Sequence, residues 1–291
     1  MGAASITLCM IVKDEARVLA RCLDSVGDLA AEIVISDTGS TDRTPQIAAS
    51  YGAQIAHLDF APMDFAAARN QALALAKGLW ILTIDADEIL DPASRPLIRD
   101  LARRGDNAGY YFERLNRHGN SEDPTTDYVV RLFPNRPDYR YRGRVHETID
   151  AAILAGGGRL LRTPIRIEHD FASDPDARRR RNLLYIELLT EELAADPNDC
   201  SRLDFLAAEY HQLGIFSEAA AIAERIARLQ PLDPQAHLRA GAYHLLYQTD
   251  RERARADFTE ALRLRPGYAE ARWFLQQIAE QDRAKAILTP A

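Results

Sequence analysis

The chain reads as an α/β domain, a mostly parallel, doubly wound sheet with antiparallel additions, followed by an all-α repeat domain. Three observations carry this reading. Short apolar runs alternate with helical periodicity as far as Glu88, β-like pieces broken by Gly, Pro and Asn come next, and strand signals vanish beyond about residue 176. A chain of 291 residues should divide in two, here into domains 1–172 and 173–291.

The first run, ITLCMIV at residues 6–12, is a short apolar strand; Ala16, Leu19, Cys22, Leu23 and Val26 then recur at helical spacing. EIVIS, residues 32–36, is a second strand that ends at Asp37. The loop Thr38-Gly-Ser-Thr-Asp42 leads into a helix over 43–50, and Ser40, Thr41 and Asp42 can all cap it. A third strand near 53–58, a helix over 64–77 and a strand opening at Trp80 complete a β-α-β-α-β-α-β order. Right-handed crossovers make that order a parallel sheet.

After Asp91-Pro92 the rhythm changes: a helix over about 94–104 precedes β-like pieces at 109–114, 128–133, 145–149 and 160–168. They form an added half with antiparallel strands that finishes a cleft. In the last third, Pro197, Pro231 and Pro266 recur at intervals of 34 and 35 residues. Between them Leu203, Leu206, Ala207 and Tyr210 face Ala219 and Ala223, while Leu238, Ala242 and Leu245 precede Ala254, Phe258 and Ala261. That period matches tetratricopeptide repeats, whose helix pairs stack because one pair cannot bury its apolar face alone. Two nearly full repeats are visible, flanked by half-repeats or caps at 179–194 and around Trp273 and Phe274.

Composition narrows the function classes. A formal charge of −7 argues against broad nucleic-acid binding. No apolar run approaches the roughly 20 residues that a membrane helix needs. The start MGAASITLCMIVKDE lacks the basic opening of a secretory signal. The three cysteines, Cys9, Cys22 and Cys200, show no metal-ligand spacing. Cytoplasmic localisation is expected, with peripheral association at the inner membrane face left open. Basic residues gather at Arg136, Arg140, Arg142 and Arg144, which could face an anionic ligand, and at Arg178 to Arg181, read as the solvated start of a helix.

The chemistry concentrates in Trp80-Ile-Leu-Thr-Ile-Asp85-Ala-Asp87-Glu88, an apolar run that ends in three carboxylates within four positions. Ligands of open α/β sheets bind outside the carboxyl ends of the strands. Glu15, Asp37, Asp85 and Asp87 all fall there, while Glu88 reads as solvated. Hard cations such as Mg²⁺ prefer carboxylate oxygens and keep phosphate or water in their remaining sites. A D-x-D pair can therefore hold a metal against a diphosphate. Neither G-x-G-x-x-G nor a P-loop is present, so charge neutralisation falls to metal, arginine or helix N-termini.

CMIVKDEARVLARCLDSV, EIVISDTGSTDRT, FAAARNQALALAKGLWILTIDADE and the later RLF and RVHE resemble bacterial family-2 glycosyltransferases of the GT-A fold, over roughly residues 5–170. The layout is similar to the lipopolysaccharide-core glycosyltransferases, and other members carry a tetratricopeptide tail. The resemblance implies inverting, hexosyltransferase-type transfer from a nucleotide-diphospho-sugar, a UDP-sugar first, with Mg²⁺ or Mn²⁺. Val12, Glu15 and Asp37 would line the nucleoside pocket, Arg69 would hold nucleotide or diphosphate, and the Asp85-Ala86-Asp87 turn would complete the donor site. Asp87 is the preferred metal ligand and Asp85 would serve ribose or metal. His146 and His169 would complete the coordination or contact the diphosphate. Glu147 is the leading general base, with Asp127 second. The expected acceptor is a glycan or a protein or peptide, and the repeat domain offers a surface for acceptor, protein partner or self-association. A non-catalytic sugar-nucleotide-binding scaffold and a nucleotidyltransferase stand as alternatives.

Overall fold

A computed structural model describes residues 5–57, 63–117, 125–170, 175–247 and 250–288. Contacts divide the chain into two compact units, Met1–Asp174 and Pro175–Ala291. The first contains strands β1 (Ile6–Val12), β2 (Glu32–Asp37), β3 (Gln54–His57), β4 (Trp80–Thr83), β5 (Glu88–Leu90), β6 (Ala108–Arg117), β7 (Thr125–Pro134) and β8 (Arg159–Asp170). Its helices are α1 (Leu19–Val26), α2 (Thr44–Ser50), α3 (Phe65–Leu75), α4 (Arg95–Arg104) and α5 (Asp150–Ala155).

The eight strands form one sheet in the order β3-β2-β1-β4-β7-β6-β8-β5. β3, β2, β1 and β4 are parallel, β7 turns antiparallel to β4, and β6 pairs antiparallel with β7 but parallel with β8. Strand alternation sorts the core. Ile6, Leu8, Met10 and Val12 of β1 join Leu19, Leu23, Ile98 and Leu101 on one face, while Cys9, Val34 and Ile81 join Ala66, Leu73 and Ile153 on the other. Burial on both faces is why these strands read as unbroken apolar runs. The register pairs Val12 with Asp37 and Cys9 with Thr83, so the carboxyl ends of β1, β2 and β4 lie along one rim.

Three local expectations change. α1 begins at Leu19 rather than near Ala16, because the backbone N–H of Glu15 donates to Thr44 Oγ1 (2.7 Å) and that of Ala16 to Asp42 Oδ2 (3.0 Å). Those amides belong to a loop that Asp14, at φ 55°, turns toward Thr41. Residues 145–149 are not a strand; one isolated bridge, Arg142 to Thr148, closes a loop in which His146 adopts φ 50°. The short β5 and α5 were not expected. Of the cap candidates for α2, Asp42 accepts the Thr44 N–H at 2.8 Å.

The second unit is all helical: α6 (Pro175–Ala195), α7 (Cys200–Gln212), α8 (Phe216–Leu229), α9 (Pro234–Leu246), α10 (Arg251–Leu264) and α11 (Ala269–Leu288). The recurring prolines lie three residues before α7, α9 and α11, at Pro197, Pro231 and Pro266. Asp199, Asp233 and Asp250 cap α7, α9 and α10 through backbone N–H groups. One apolar cluster joins α7, α8 and α9 through Leu203, Ala223, Ile226 and Ala240; the next joins α9, α10 and α11 through Leu238, Phe258, Ala261 and Ile278. Each helix pair is buried by its neighbours, as stacked tetratricopeptide repeats require. Gly241 lets α10 approach closely, since a Cβ there would lie 2.8 Å from Phe258 Cε1.

Phe258 is fully buried and stacks on Phe274 at 4.7 Å. Phe258→Ala should destabilise the helical unit by about 3–5 kcal/mol, read as a lower urea midpoint of the helical signal; a shift under about 1 kcal/mol would contradict this packing.

Candidate functional site

The rim of the sheet is built around the turn after β4. Asp85 and Glu88 close it reciprocally: the Asp85 N–H donates to Glu88 Oε2 at 2.9 Å, and the Glu88 N–H to the Asp85 carbonyl at 3.0 Å. The Asp85 carboxylate accepts from two guanidinium groups. Arg69 Nη2 of α3 reaches Oδ1 at 2.8 Å and Arg131 Nη2 of β7 reaches Oδ2 at 2.6 Å. Burial disfavours the ionised form of Asp85, but Arg131 and Arg69 outweigh it and hold the carboxyl well below the usual carboxylate range.

Glu88 corrects the sequence reading. It is 0 % exposed rather than solvated, pairs with Arg131, and lies 3.6 Å from Arg114 Nη1. Burial pushes its carboxyl upward against the pull of Arg131. Arg114 continues the chain of charges to Asp127, with Nη2 at 2.6 Å from Oδ2. Asp127, the second candidate for general base, is therefore held by an arginine, and its carboxyl is lowered despite burial.

Arg69 is buried and directs Nε to Glu147 Oε1 at 2.6 Å, with its guanidinium 5.4 Å from the Tyr141 ring centre. It thus joins two carboxylates of the rim. The four arginines near Glu147 also find local partners or solvent: Arg136 pairs with Asp138, Arg140 donates to the Arg136 and Tyr139 carbonyls, Arg144 donates to the Met63 carbonyl, and Arg142 is exposed.

Asp87, by contrast, is 38 % exposed, and its Oδ2 lies 3.2 Å from His169 Nε2. The other ring nitrogen, Nδ1, is 2.8 Å from Asn116 Oδ1, and the Asn116 side chain is also bonded to Asp127. A carboxylate only accepts, so the amide N–H faces Asp127 and the amide oxygen faces His169. Nδ1–H therefore donates to Asn116, which leaves Nε2 facing Asp87. Such an outer-shell bond orients a metal-binding histidine. Among the described residues no three His, Cys, Asp or Glu side chains form a metal-binding group. The Asp87–His169 pair nevertheless fits a divalent cation that takes its remaining oxygens from diphosphate and water. His146 sits in the loop that presents Glu147, half-buried and in the left-handed conformation.

Two more predicted residues complete the rim. Asp37 is buried, accepts the Ser40 N–H and hydroxyl through Oδ1, and meets the exposed His57 Nδ1 at 3.4 Å. Val12, its register partner, is buried, as is Ala86 between the two aspartates. Glu15 is half-buried; burial, then the charges of Asp87 and Asp42, pushes its carboxyl up to about 7. Arg131, Glu88 and Asn116 were not picked out as site residues from sequence. Arg131 opens the RLF string and Glu88 closes the DADE string, but only the fold shows that they meet.

A carboxyl raised in the folded state favours folding when protonated, so its stabilising contribution falls as pH rises from about 4.5 through about 7. Carbon-detected NMR should find the Glu15 midpoint near 7 in the wild type and lower in Asp87→Asn. A wild-type midpoint near 4.5 would remove the acidic cluster from the account.

Comparison with known proteins bears on this geometry. Residues 7–169 match the family model described as Glycosyl transferase family 2. A TPR repeat-containing protein of Synechococcus elongatus is 44 % identical over 152 residues, 52 % of this chain and 37 % of that protein. The lipopolysaccharide core biosynthesis glycosyltransferase LpsC of Rhizobium meliloti is 36 % identical over 100 residues, 33 % of this chain and 37 % of LpsC. The chain thus spans little more than a third of the length of these curated relatives. Staphylococcus aureus TarS has a TM-score of 0.46 at 14 % identity, covering 97 % of this chain and 92 % of TarS. Among the described residues no helix is long and apolar enough to cross a membrane. The family match covers more than half of the chain, which belongs to glycosyl transferase family 2.

Proposed function

We propose that the chain is a metal-dependent, inverting glycosyltransferase that moves one sugar from a nucleotide-diphospho-sugar, a UDP-sugar first, to an acceptor hydroxyl. The observation that carries this reading is the division of labour along one rim. Asp85 is locked by two arginines, Asp87 and His169 lie 3.2 Å apart beside it, and Glu147 stands on the far side of Arg69.

Asp87 and His169 would hold the divalent cation, which supplies positive charge to the leaving diphosphate. Asp37, Glu15 and Val12 form the nucleoside side of the rim. Asp85, ionised and fixed, offers its remaining lone pairs to ribose. Glu147 receives the proton of the acceptor hydroxyl as its oxygen bonds to the anomeric carbon and the nucleoside diphosphate departs. The acceptor is a glycan, lipopolysaccharide-type or protein, and the stacked helices supply a surface for it, for a protein partner or for a second copy of the chain.

Screening nucleotide sugars for thermal stabilisation with and without Mg²⁺ or Mn²⁺ identifies the donor, because a ligand of the folded state raises its stability. The matching UDP-sugar should raise the melting temperature only with metal, and Asp87→Ala should abolish that gain while remaining folded. Equal stabilisation of wild type and Asp87→Ala would remove Asp87 from the metal site. Glu147→Gln should bind donor normally and lose transfer by about 100-fold or more. Near-normal transfer by a folded Glu147→Gln protein would refute the base assignment.

A further inference from the structure

We infer that Arg69 is a positioning residue that fastens Glu147 to the donor-site carboxylate Asp85, with α3 serving as the splint for the loop that carries the base. This inference rests on the assignment of Glu147 as base. It changes what Arg69 does: the guanidinium aligns the proton acceptor instead of gripping the diphosphate.

The loop from Tyr141 to Glu147 has little regular structure of its own, yet α3 and the residues before it hold it at several points. Asn70 Nδ2 donates to the Tyr141 carbonyl at 3.0 Å, and the Tyr141 N–H donates back to Asn70 Oδ1 at 2.9 Å. The Phe65 N–H donates to the Arg144 carbonyl at 2.8 Å, and Arg144 Nε returns to the Met63 carbonyl at 3.1 Å. α3 itself is anchored by Asp64, whose Oδ1 accepts the Ala67 N–H at 2.8 Å. Arg69 adds the last fastening, directly onto the Glu147 side chain.

Geometry explains why an arginine is needed. Its planar fork sends Nε to Glu147 and Nη2 to Asp85 at the same time, 2.6 and 2.8 Å away. A lysine keeps the charge but has a single nitrogen on a flexible stem. The Arg69 side chain is 8 % exposed, so solvent screens these bonds little. His146, at φ 50°, stores backbone strain immediately before Glu147, and such strain persists where the surroundings over-determine the conformation. With Oε1 taken by Arg69, Oε2 is the Glu147 oxygen left for the acceptor hydroxyl.

The test uses the full chain with its donor and acceptor, comparing Arg69→Lys, Asn70→Ala, Glu147→Gln and the Arg69→Lys/Glu147→Gln double variant. Circular dichroism establishes folding, calorimetry gives donor affinity, and steady-state kinetics give transfer. Arg69→Lys should lower kcat by about 100-fold with donor Kd changed less than about threefold, and in the Glu147→Gln background the same substitution should cost less than about threefold, because the two act as a unit. Asn70→Ala, which loosens the splint without touching either carboxylate, should lower kcat in the same sense. It carries the test if Arg69→Lys does not fold. Donor affinity falling in step with kcat, independent multiplicative losses in the double variant, or unchanged kcat in Asn70→Ala would each overturn the inference. Near-normal transfer by Glu147→Gln is a separate result that removes the base assignment itself.

Discussion

The rim depends on one half-buried carboxylate clamped by two buried arginines. Asp85 lies two residues beyond β4, a strand buried along its whole length, and it stays ionised there because Arg69 and Arg131 approach its two oxygens from different elements. Coulomb attraction grows as water is excluded, but so does the cost of leaving either partner alone. Removing one member of such a pair typically costs about 3–5 kcal/mol, whereas an exposed pair is worth about 1 kcal/mol or less. The arrangement is therefore cooperative in a strict sense. Glu88 fixes Arg131 and also accepts the Asp85 N–H, so the turn after β4 cannot open without uncovering several charges at once.

That rigidity lets neighbouring groups remain reactive. Asp87, two residues on, is outside the clamp and partly exposed, with His169 as its partner. Glu15, partly buried and crowded by Asp87 and Asp42, holds its proton to about 7, so its charge changes in the neutral range. Glu147 reaches the rim through Arg69 from a loop of the antiparallel half. On the proposed reading the parallel half provides the donor edge and the antiparallel half the base, and buried arginines connect the two halves. The helical unit is built by a different principle, with nearest-neighbour stacking and an aspartate cap at three of its helices.

Much of this was legible in the sequence, for identifiable reasons. β1, β2 and β4 are short apolar runs flanked by acidic or turn residues, and proline spacing marked the helix pairs. Asp37, Asp85 and Asp87 could be placed because strand ends at a parallel edge face the ligand position. Local periodicity could not show long-range electrostatic pairing. Glu88 looks solvated beside Asp85 and Asp87, and only its meeting with Arg131, 43 positions away, explains its burial. Arg69 stands out in ARN, but its carboxylate partners, 16 and 78 positions distant, are not visible from the local string. The expected strand at 145–149 failed because Val145 and Ile149 are buried as anchors of a loop, a pattern that mimics alternation. α1 started late because side chains beyond β2 captured the amides of Glu15 and Ala16, a competition that helical spacing does not register.

The most direct test of a preassembled rim is a crystal structure of the chain with Mn²⁺ and UDP, with the metal located by anomalous scattering. The account predicts manganese bound to Asp87 and His169, with Asp85 still held by Arg69 and Arg131. Manganese bound away from Asp87, or Asp85 released from both arginines to become the principal ligand, would contradict it.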